Sequence, residues 1–496
     1  MNKYKLFLAL LPIIMLITSS CTNTAETTHL NFDYAMAHAN HRRQIINRPT
    51  DAFVASMGTD EGIEPVYIEH YITPSSTPHF VLTTEQATAD IYLMFDMLRS
   101  LYGAYHYFGG DDVFLPLRER TIAALYTESM LSANILDRII FDNLATVIKD
   151  GHFILGNRYL SPSVDMFSFD EYFERTEKGF RHINTGAHVL EVVGHTMEDV
   201  FRLALTEDGE FAYAIVILGE CRGPTPAVHW QFLNDHRHNQ RQHYPLVIRL
   251  DNGDTIEKDL PDILTSPFTV SIPGNRFMGP DWRSELRHEG DIPILSSRFF
   301  VHPAMEYGQF FMSTAYDLQE EPIIIVDIRG NGGGNVTKFD GWLYRLMGNT
   351  VYPTFNTIDR WHNITWPEDL TWESNTDENG PQAFTYNKNP YQNNKTSEPL
   401  IIMLTNRING SSAEWVVSQM FNLENTLIIG QNTAGGLLSD GQRVSIYLPY
   451  SNIRLLFSPI GYIYPPGHFA EGVGFAPDVW VNGCALEATL AMLARR

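Results

Sequence analysis

The chain has 496 residues, of which 44% are hydrophobic, 12% aromatic and 19% charged, which is the composition of an ordinary globular protein. A single hydrophobic core rarely serves so long a chain, so we expect two or three domains. The formal net charge of −23 argues against a nucleic acid partner, because so acidic a surface repels phosphate groups.

The N-terminus has the pattern of an export signal over residues 1–21. Lys3 and Lys5 precede an apolar stretch, residues 6–17, that is too short to span a bilayer, and small residues then lead to Cys21. Small residues before a lone Cys resemble a bacterial lipobox, although Ser20 stands where Gly or Ala is more usual. This resemblance implies acylation of Cys21 and a lipid anchor in the cell envelope, at its periplasmic or extracellular face. Ordinary secretion is the alternative.

After the signal, the sequence predicts a linker over residues 22–83 and a helical N-terminal domain over residues 84–180. Apolar side chains recur at helical spacing in residues 91–98 and again in residues 136–147. The helical pattern ends at Lys149-Asp150-Gly151-His152.

A small β-rich insert is predicted for residues 181–264, where the hydrophobic period shortens toward two. Residues 251–254 read as the Asn-Gly turn of a hairpin. Apart from Cys21, the cysteines are Cys221 and Cys484, too few for a disulfide framework or a metal cluster. Buried free thiols are favoured over a disulfide between them.

An α/β domain is predicted for residues 292–496. Continuous apolar runs in residues 322–327, 400–404 and 426–429 are typical of buried strands, and residues 413–421 have helical spacing. A polar stretch in this domain, residues 356–397, has the composition of a surface insertion.

A glycine-rich segment, residues 327–335, directly follows the first of these buried strands. Its three consecutive glycines leave backbone N–H groups open to a substrate. A phosphate loop fits poorly because no Gly-Lys-Ser/Thr follows, whereas an oxyanion hole for acyl transfer needs such donors. A flexible turn is the plain alternative.

The segment from Asn409 to Glu414 lies between a buried strand and a helix. A serine at such a turn is presented at the sheet edge, where a base reaches it, and the helix N-terminus favours developing negative charge. The Ser412 N–H is in place to stabilise that charge. The alternative is that Ser411 or Ser412 is only a helix N-cap.

Together, these two segments resemble the C-terminal processing, or tail-specific, serine peptidases, a family that includes the tricorn core. Its hallmarks are a Gly-rich segment after an Asp-x-Arg strand end and a Ser-x-x-Glu segment opening a helix. Residues 327–334 and 411–414 match both in order. The resemblance implies an α/β fold with a crotonase/ClpP-like spiral core and an N-terminal helical domain. For the β-rich insert, it raises a PDZ-like domain as one interpretation.

The base that the resemblance implies is a histidine. One branch of the family uses a downstream lysine, but Gly436 stands at that place and no lysine follows Lys395. The tricorn-like branch uses a histidine after the helical region, where His152 stands in an Asp-Gly-His segment. Histidine suits the role because its pKa lies near working pH. His468 is the rival base, on what reads as an exposed loop.

Tricorn-like members also use a glutamate near a C-terminal Gly-Val-x-Pro-Asp segment, and Glu471 keeps that spacing. It is then the third catalytic residue, orienting the assembly electrostatically. The plain alternative is a glutamate that caps a turn. This chain has Gly151 where the tricorn pattern has a serine, so the route from Glu471 to His152 stays open.

The resemblance therefore implies an endopeptidase that cuts unfolded or C-terminal polypeptide segments through an acyl-enzyme. Ser411 is the nucleophile, and the oxyanion is held by the N–H groups of Ser412 and of Gly332 or Gly333. No metal or cofactor is implied, since metal-ligand spacings are lacking. The alternatives are a catalytically degenerate binding lipoprotein on the same fold and, less favoured, a crotonase-like acyl-CoA enzyme.

Overall fold

The computed structural model describes residues 30–46, 66–68, 71–74, 80–222, 243–261, 284–298, 305–361, 364–365, 385–387 and 399–496. The predicted export signal with Cys21 lies outside these residues, as do most of the predicted linker and most of the predicted surface insertion. Within the described ranges, no helix has the length and apolar character needed to cross a membrane.

The described residues form nine helices. They are α1 Phe32–Ile46, α2 Thr84–Leu101, α3 Gly110–Leu125, α4 Ala133–Leu144, α5 Met197–Val200, α6 Met305–Asp317, α7 Thr337–Met347, α8 Ser412–Met420 and α9 Ala485–Ala494. The α2 helix begins at a capping box, because the Thr83 hydroxyl accepts the Gln86 N–H at 3.2 Å while the Gln86 side chain accepts the Thr83 N–H at 2.9 Å.

The described residues also form twenty-two strands. They are β1 Val66–Tyr67, β2 Asp150–Leu155, β3 Arg158–Leu160, β4 Ser163–Thr176, β5 Gly179–His182, β6 Val189–Val192, β7 Phe201–Leu205, β8 Phe211–Arg222, β9 His243–Leu250, β10 Thr255–Pro261, β11 Glu285–Glu289, β12 Ile292–Ser296, β13 Ile323–Asp327, β14 Asn356–Asp359, β15 Ile364–Thr365, β16 Thr385–Asn387, β17 Leu400–Thr405, β18 Thr426–Gly430, β19 Val444–Tyr447, β20 Arg454–Phe457, β21 Ile460–Ile463 and β22 Val479–Trp480.

A mixed ten-stranded sheet organises the fold, in the order β11-β12-β13-β17-β18-β22-β7-β8-β4-β5. Its centre is parallel from β12 to β7. Both faces of the central strands are covered: Ile402 packs in the core that includes α1 and α9, and Ile401 packs in the core that includes α6, α7 and α8. This double burial explains the continuous apolar runs and confirms the three predicted buried strands.

The predicted β-rich insert is not a separate unit. Strands β7 and β8 belong to the large sheet, where they pair with each other and β8 pairs with β4. Only β10, β9 and β6 form a small sheet of their own, and the predicted hairpin around residues 251–254 is its β9–β10 pair. Strand pairing across the chain therefore merges part of the insert with the α/β domain.

The helical segment is also shorter than the predicted range 84–180, because its last helix ends at Leu144 and the chain is in strands from Asp150. Strands β2 and β3 join β19 and β20 in a four-stranded sheet, in the order β19-β20-β2-β3. One face of that sheet, including Phe153 and Phe457, packs against α2, α3 and α4. The helices thus support a sheet made from two distant parts of the chain.

Candidate active site

Ser411 lies at the turn between β17 and α8, with a φ of 53° and a ψ of −125°. A positive φ is unfavourable for a residue with a side chain and costs about 1–3 kcal/mol, so its surroundings must hold it in place. Of the described non-glycine residues, only Asn452 shares this property. The strained turn places Ser411 beyond the end of β17, at the edge of the parallel sheet.

His152 lies on β2, and its Nε2 is 3.1 Å from Ser411 Oγ, although 259 residues separate the two. Its Nδ1 is buried and, among the described residues, has no hydrogen-bond partner. The pKa of His152 is lowered, mainly by burial and also by the Arg443 charge, while Asp150, Asp440 and the Ser439 backbone raise it. A histidine below its ordinary pKa is neutral at pH 7 and so accepts a proton.

Glu471 meets the base segment at the backbone. Its Oε1 accepts the Gly151 N–H at 2.6 Å and its Oε2 accepts the Leu438 N–H at 3.0 Å. A Cβ atom at Gly151 would lie 2.9 Å from Glu471 Oε1, which explains why glycine stands here instead of serine. Burial and the charges of Asp150 and Glu414 raise the pKa of Glu471 well above its ordinary value.

Asp150, which had no predicted role, is buried and accepts three hydrogen bonds around the segment that contains His152. Its Oδ1 accepts the His152 N–H at 2.8 Å and the Ser439 hydroxyl at 3.0 Å, and its Oδ2 accepts the Tyr102 hydroxyl at 2.7 Å. Burial and Asp150 together raise the pKa of Tyr102 well above 10.0, so that hydroxyl stays a donor. The only sequence signal for Asp150 was its place in the Asp-Gly-His segment.

Glu414 supports the nucleophile in a similar way. Its carboxylate accepts the Thr433 hydroxyl at 2.6 Å, the N–H groups of Gly435 and Gly436 at 2.7 Å each, and the Ser411 N–H at 3.2 Å. Burial raises the pKa of Glu414 to about 7, although these hydrogen bonds and the Arg407 charge act against the rise. Its signal in the sequence was the Ser-x-x-Glu spacing, which carried no assigned role.

The glycine-rich segment lies directly against Ser411. A Cβ atom at Gly333 would come within 2.8 Å of Ser411 Cβ, so only glycine permits this approach. The Gly333 N–H donates to Asn331 Oδ1 at 2.9 Å. Of the two predicted glycine donors, Gly332 is therefore the one with an open N–H, and the Ser412 N–H also makes no hydrogen bond to any described residue.

The strand end before this segment is fixed by an ion pair. Arg329 Nε and Nη2 each lie 2.9 Å from one oxygen of Asp327, a bidentate geometry. Arg298 adds a contact to Asp327 at 3.2 Å. Arg329 also donates to the sulfur of Cys484, which is a free and exposed cysteine, contrary to the predicted buried thiol.

His468, the rival base, makes no contact with Ser411. Its Nε2 lies 2.8 Å from Thr354 Oγ1, and its ring packs against Phe421 and Phe475. The predicted exposed loop is wrong here, because the side chain is buried. Burial, with the charges of Arg42 and Arg43, lowers its pKa well below 6.5. Within the described ranges, no three His, Cys, Asp or Glu side chains gather in a metal-binding arrangement.

Several solved structures are similar to this chain. Mature CPAF is 14% identical with a TM-score of 0.40, covering 83% of this chain and 95% of its own. A lipoprotein from Streptococcus agalactiae is 14% identical with a TM-score of 0.37, covering 84% and 99%. The photosystem II D1 C-terminal processing protease is 13% identical with a TM-score of 0.37, covering 81% and 93%. Scores this low carry no activity over to the chain.

The family comparison is specific to the C-terminal part. No curated protein sequence matches the chain significantly. Residues 305–481, which include Ser411 and Glu471 and not His152, match the model of peptidase family S41. Over this part, the chain is similar to the serine peptidases of family S41.

Proposed function

We propose that this protein is a Ser-His endopeptidase that hydrolyses unfolded or C-terminal segments of envelope or extracellular polypeptides through an acyl-enzyme. The observation that carries the proposal is the 3.1 Å separation of Ser411 Oγ and His152 Nε2. This distance lies within hydrogen-bond reach, the first requirement for a nucleophile and its base.

In the acylation step, Ser411 Oγ attacks the scissile carbonyl while His152 Nε2 takes the hydroxyl proton. The negative charge on the carbonyl oxygen is accepted by the N–H groups of Ser412 and Gly332, which have no other acceptor among the described residues. The C–N bond then breaks, and His152 gives its proton to the leaving amine. Water repeats the sequence on the ester, with His152 again as base, and releases the acid.

The protonation state of His152 follows from its surroundings. For Nε2 to accept the Ser411 proton, the ring proton must be on Nδ1, which is buried without a hydrogen-bond partner in the described structure. The Ser439 backbone raises the pKa of His152 and so favours the protonated ring.

The two buried carboxylates of the base half are positioning residues in this mechanism. Asp150 bonds the backbone of His152 itself, and Glu471 bonds the backbone of Gly151. Both fix the segment that carries the ring instead of contacting the ring. The negative charge of Asp150 also favours the imidazolium that forms during each proton transfer, since it raises the pKa of His152.

Export and anchoring complete the proposal. The signal over residues 1–21 and Cys21 support a lipid-anchored protein of the cell envelope that meets polypeptides outside the cytoplasm. The parallel centre of the ten-stranded sheet supports a crotonase/ClpP-like core, and the small β10-β9-β6 sheet is the part left for a PDZ-like insert. The helices α2 to α4 support a helical N-terminal domain.

The test is hydrolysis of casein by the chain without residues 1–21, beside Ser411→Ala and His152→Ala. Circular dichroism verifies that each variant is folded, and a fluorophosphonate probe reports the reactive serine. We expect wild-type cleavage and labelling, and loss of cleavage in both variants. Loss in Ser411→Ala alone would assign the base to another residue. Absence of both cleavage and labelling in the wild type would reject the peptidase mechanism and favour a binding protein.

A further inference from the structure

Arg443 lies just before β19, on the face of the four-stranded sheet that carries the base. Phe153 on β2 and Val444 on β19 both point into the helical core, so His152 and Arg443, one residue earlier on each strand, point to the opposite face. Only β20 separates these strands, which places them about 10 Å apart. An arginine side chain can cross much of that distance.

The space around Gly441 shows that the segment containing Arg443 lies close to the proposed base. A Cβ atom at Gly441 would lie 4.0 Å from His152 Nε2, the nitrogen that faces Ser411 Oγ. The charge of Arg443 is close enough to lower the pKa of His152. The segment 440–443 therefore forms the wall of the site beside the base.

Arg443 is partly buried and has neither a hydrogen bond nor an ion pair with any described residue. The neighbouring carboxylate, Asp440, is engaged elsewhere: Oδ1 accepts the Gln442 N–H at 2.6 Å and Oδ2 accepts the Tyr462 hydroxyl. A guanidinium offers five donors in a planar fork that matches a carboxylate. An unpaired one beside a nucleophile is suited to binding an anion that arrives with the substrate.

The chemistry of the base decides which part of the substrate lies near Arg443. His152 must give its proton to the leaving amine, so the leaving peptide lies on the His152 side of Ser411, away from the oxyanion donors. We infer that Arg443 binds a carboxylate on the leaving peptide, within the first residues after the scissile bond. This inference rests on the proposed function. The carboxylate is supplied by an acidic side chain or by a free C-terminus close to the cut.

Three peptides that differ only after the scissile bond test this inference. The first carries Glu at the second position after the cut and an amidated C-terminus, the second carries Gln there with the same amide, and the third carries Gln and ends there as a free acid. We expect the wild-type kcat/KM to be about tenfold higher for at least one acidic peptide than for the neutral one, as for loss of a charged hydrogen bond. Preference for the first peptide identifies a side chain, and preference for the third identifies a C-terminus.

Three variants assign any preference to Arg443. We expect Arg443→Gln to reduce the ratio of kcat/KM between acidic and neutral peptides to about one, and Arg443→Lys, which keeps the charge, to retain part of it. Arg454→Gln is the matched control, because Arg454 lies on the same face, paired with Tyr447 at the far end of β19. An equal ratio in wild type and Arg443→Gln, or no wild-type preference, would overturn the inference and leave the proposed function standing. Failure of the wild type to cleave any peptide, casein included, would instead remove the proposed function beneath it.

Discussion

The two halves of the candidate active site, one with the proposed nucleophile and one with the proposed base, are held in place by different means. The nucleophile is fixed locally, since Glu414, three residues after Ser411, bonds the Ser411 N–H and also the loop of Thr433 to Gly436. The base is fixed from a distance, because Glu471 bonds the Gly151 N–H from 320 residues away. In each half a buried carboxylate accepts backbone N–H groups, but only the nucleophile half is built around one short motif.

The position of the histidine ring therefore depends on the backbone of β2 and on the packing of the ring. No described residue forms a hydrogen bond with His152 Nδ1. The ring is therefore held by its contact with Ser411 and by the packing around it. Small displacements of the β2 backbone should therefore reduce catalysis more than small changes around Ser411. The following experiments test that difference between the two halves.

The largest effect is expected from removing both reacting side chains. Ser411→Ala should reduce kcat by about 10⁴-fold or more, and adding His152→Ala should reduce it little further, because the two act as one unit. Single-turnover kinetics on a peptide substrate measures both rates. Losses that multiply in the double variant would show that the two residues work independently, and the contrast between the halves would lose its meaning.

Gly151→Ala tests the distant half. The new methyl group would lie 2.9 Å from Glu471 Oε1, so the carboxylate or the β2 backbone must move, and we expect kcat to fall about a hundredfold. Gly483→Ala is the matched control, since its methyl group would lie 3.4 Å from a glutamate oxygen of Glu207, remote from the site. Comparable activity in both variants would contradict the dependence of the base on its backbone.

Asp150→Asn separates charge from hydrogen bonding. The proposed mechanism requires neutral His152, so we expect kcat/KM to fall as pH drops through the pKa of His152. Asp150 raises that pKa, so its neutral replacement should move the acid limb of the kcat/KM profile to lower pH. The plateau of the profile should be about tenfold lower, because the hydrogen bonds of Asp150 are disturbed. Tyr102→Phe removes one bond of Asp150 and keeps its charge, so its acid limb should stay in place. A shift to higher pH in Asp150→Asn would refute this electrostatic role.

The smallest effect concerns stability. The φ of 53° at Ser411 suits glycine better than alanine, so Ser411→Gly should unfold with a free energy about 1 kcal/mol higher than Ser411→Ala. Urea denaturation of the two inactive variants measures the difference. Equal midpoints would mean that the turn around the nucleophile is not strained.

Local patterns in the sequence were sufficient for the nucleophile half and insufficient for the base half. The apolar run of β17 and the helical spacing of α8 placed Ser411 at a strand-to-helix turn. Asp150 and Ser439 could not be paired from sequence, since their contact joins residues 289 positions apart and neither has a distinctive pattern. His468 was misplaced because Pro465, Pro466 and Gly467 signal a turn and say nothing about ring packing.

The predicted domain boundaries differ from the structure for a related reason. Alternation identifies a strand but does not name its partner, so β7 and β8 read as part of a separate insert although they extend the large sheet. The helical range was drawn too long because no local pattern required the helices to end at Leu144. Partner choice in sheets is a property of the whole chain.

The four-stranded sheet has a consequence for the timing of synthesis. Strand β2, which carries His152, pairs with β20, and β20 is complete only at Phe457. During synthesis, the chain therefore contains His152, and later Ser411, before β20 has been made. Strand β20 is the one that pairs with the strand carrying His152. Under the proposed mechanism, we expect a chain that ends before β20 to lack peptidase activity.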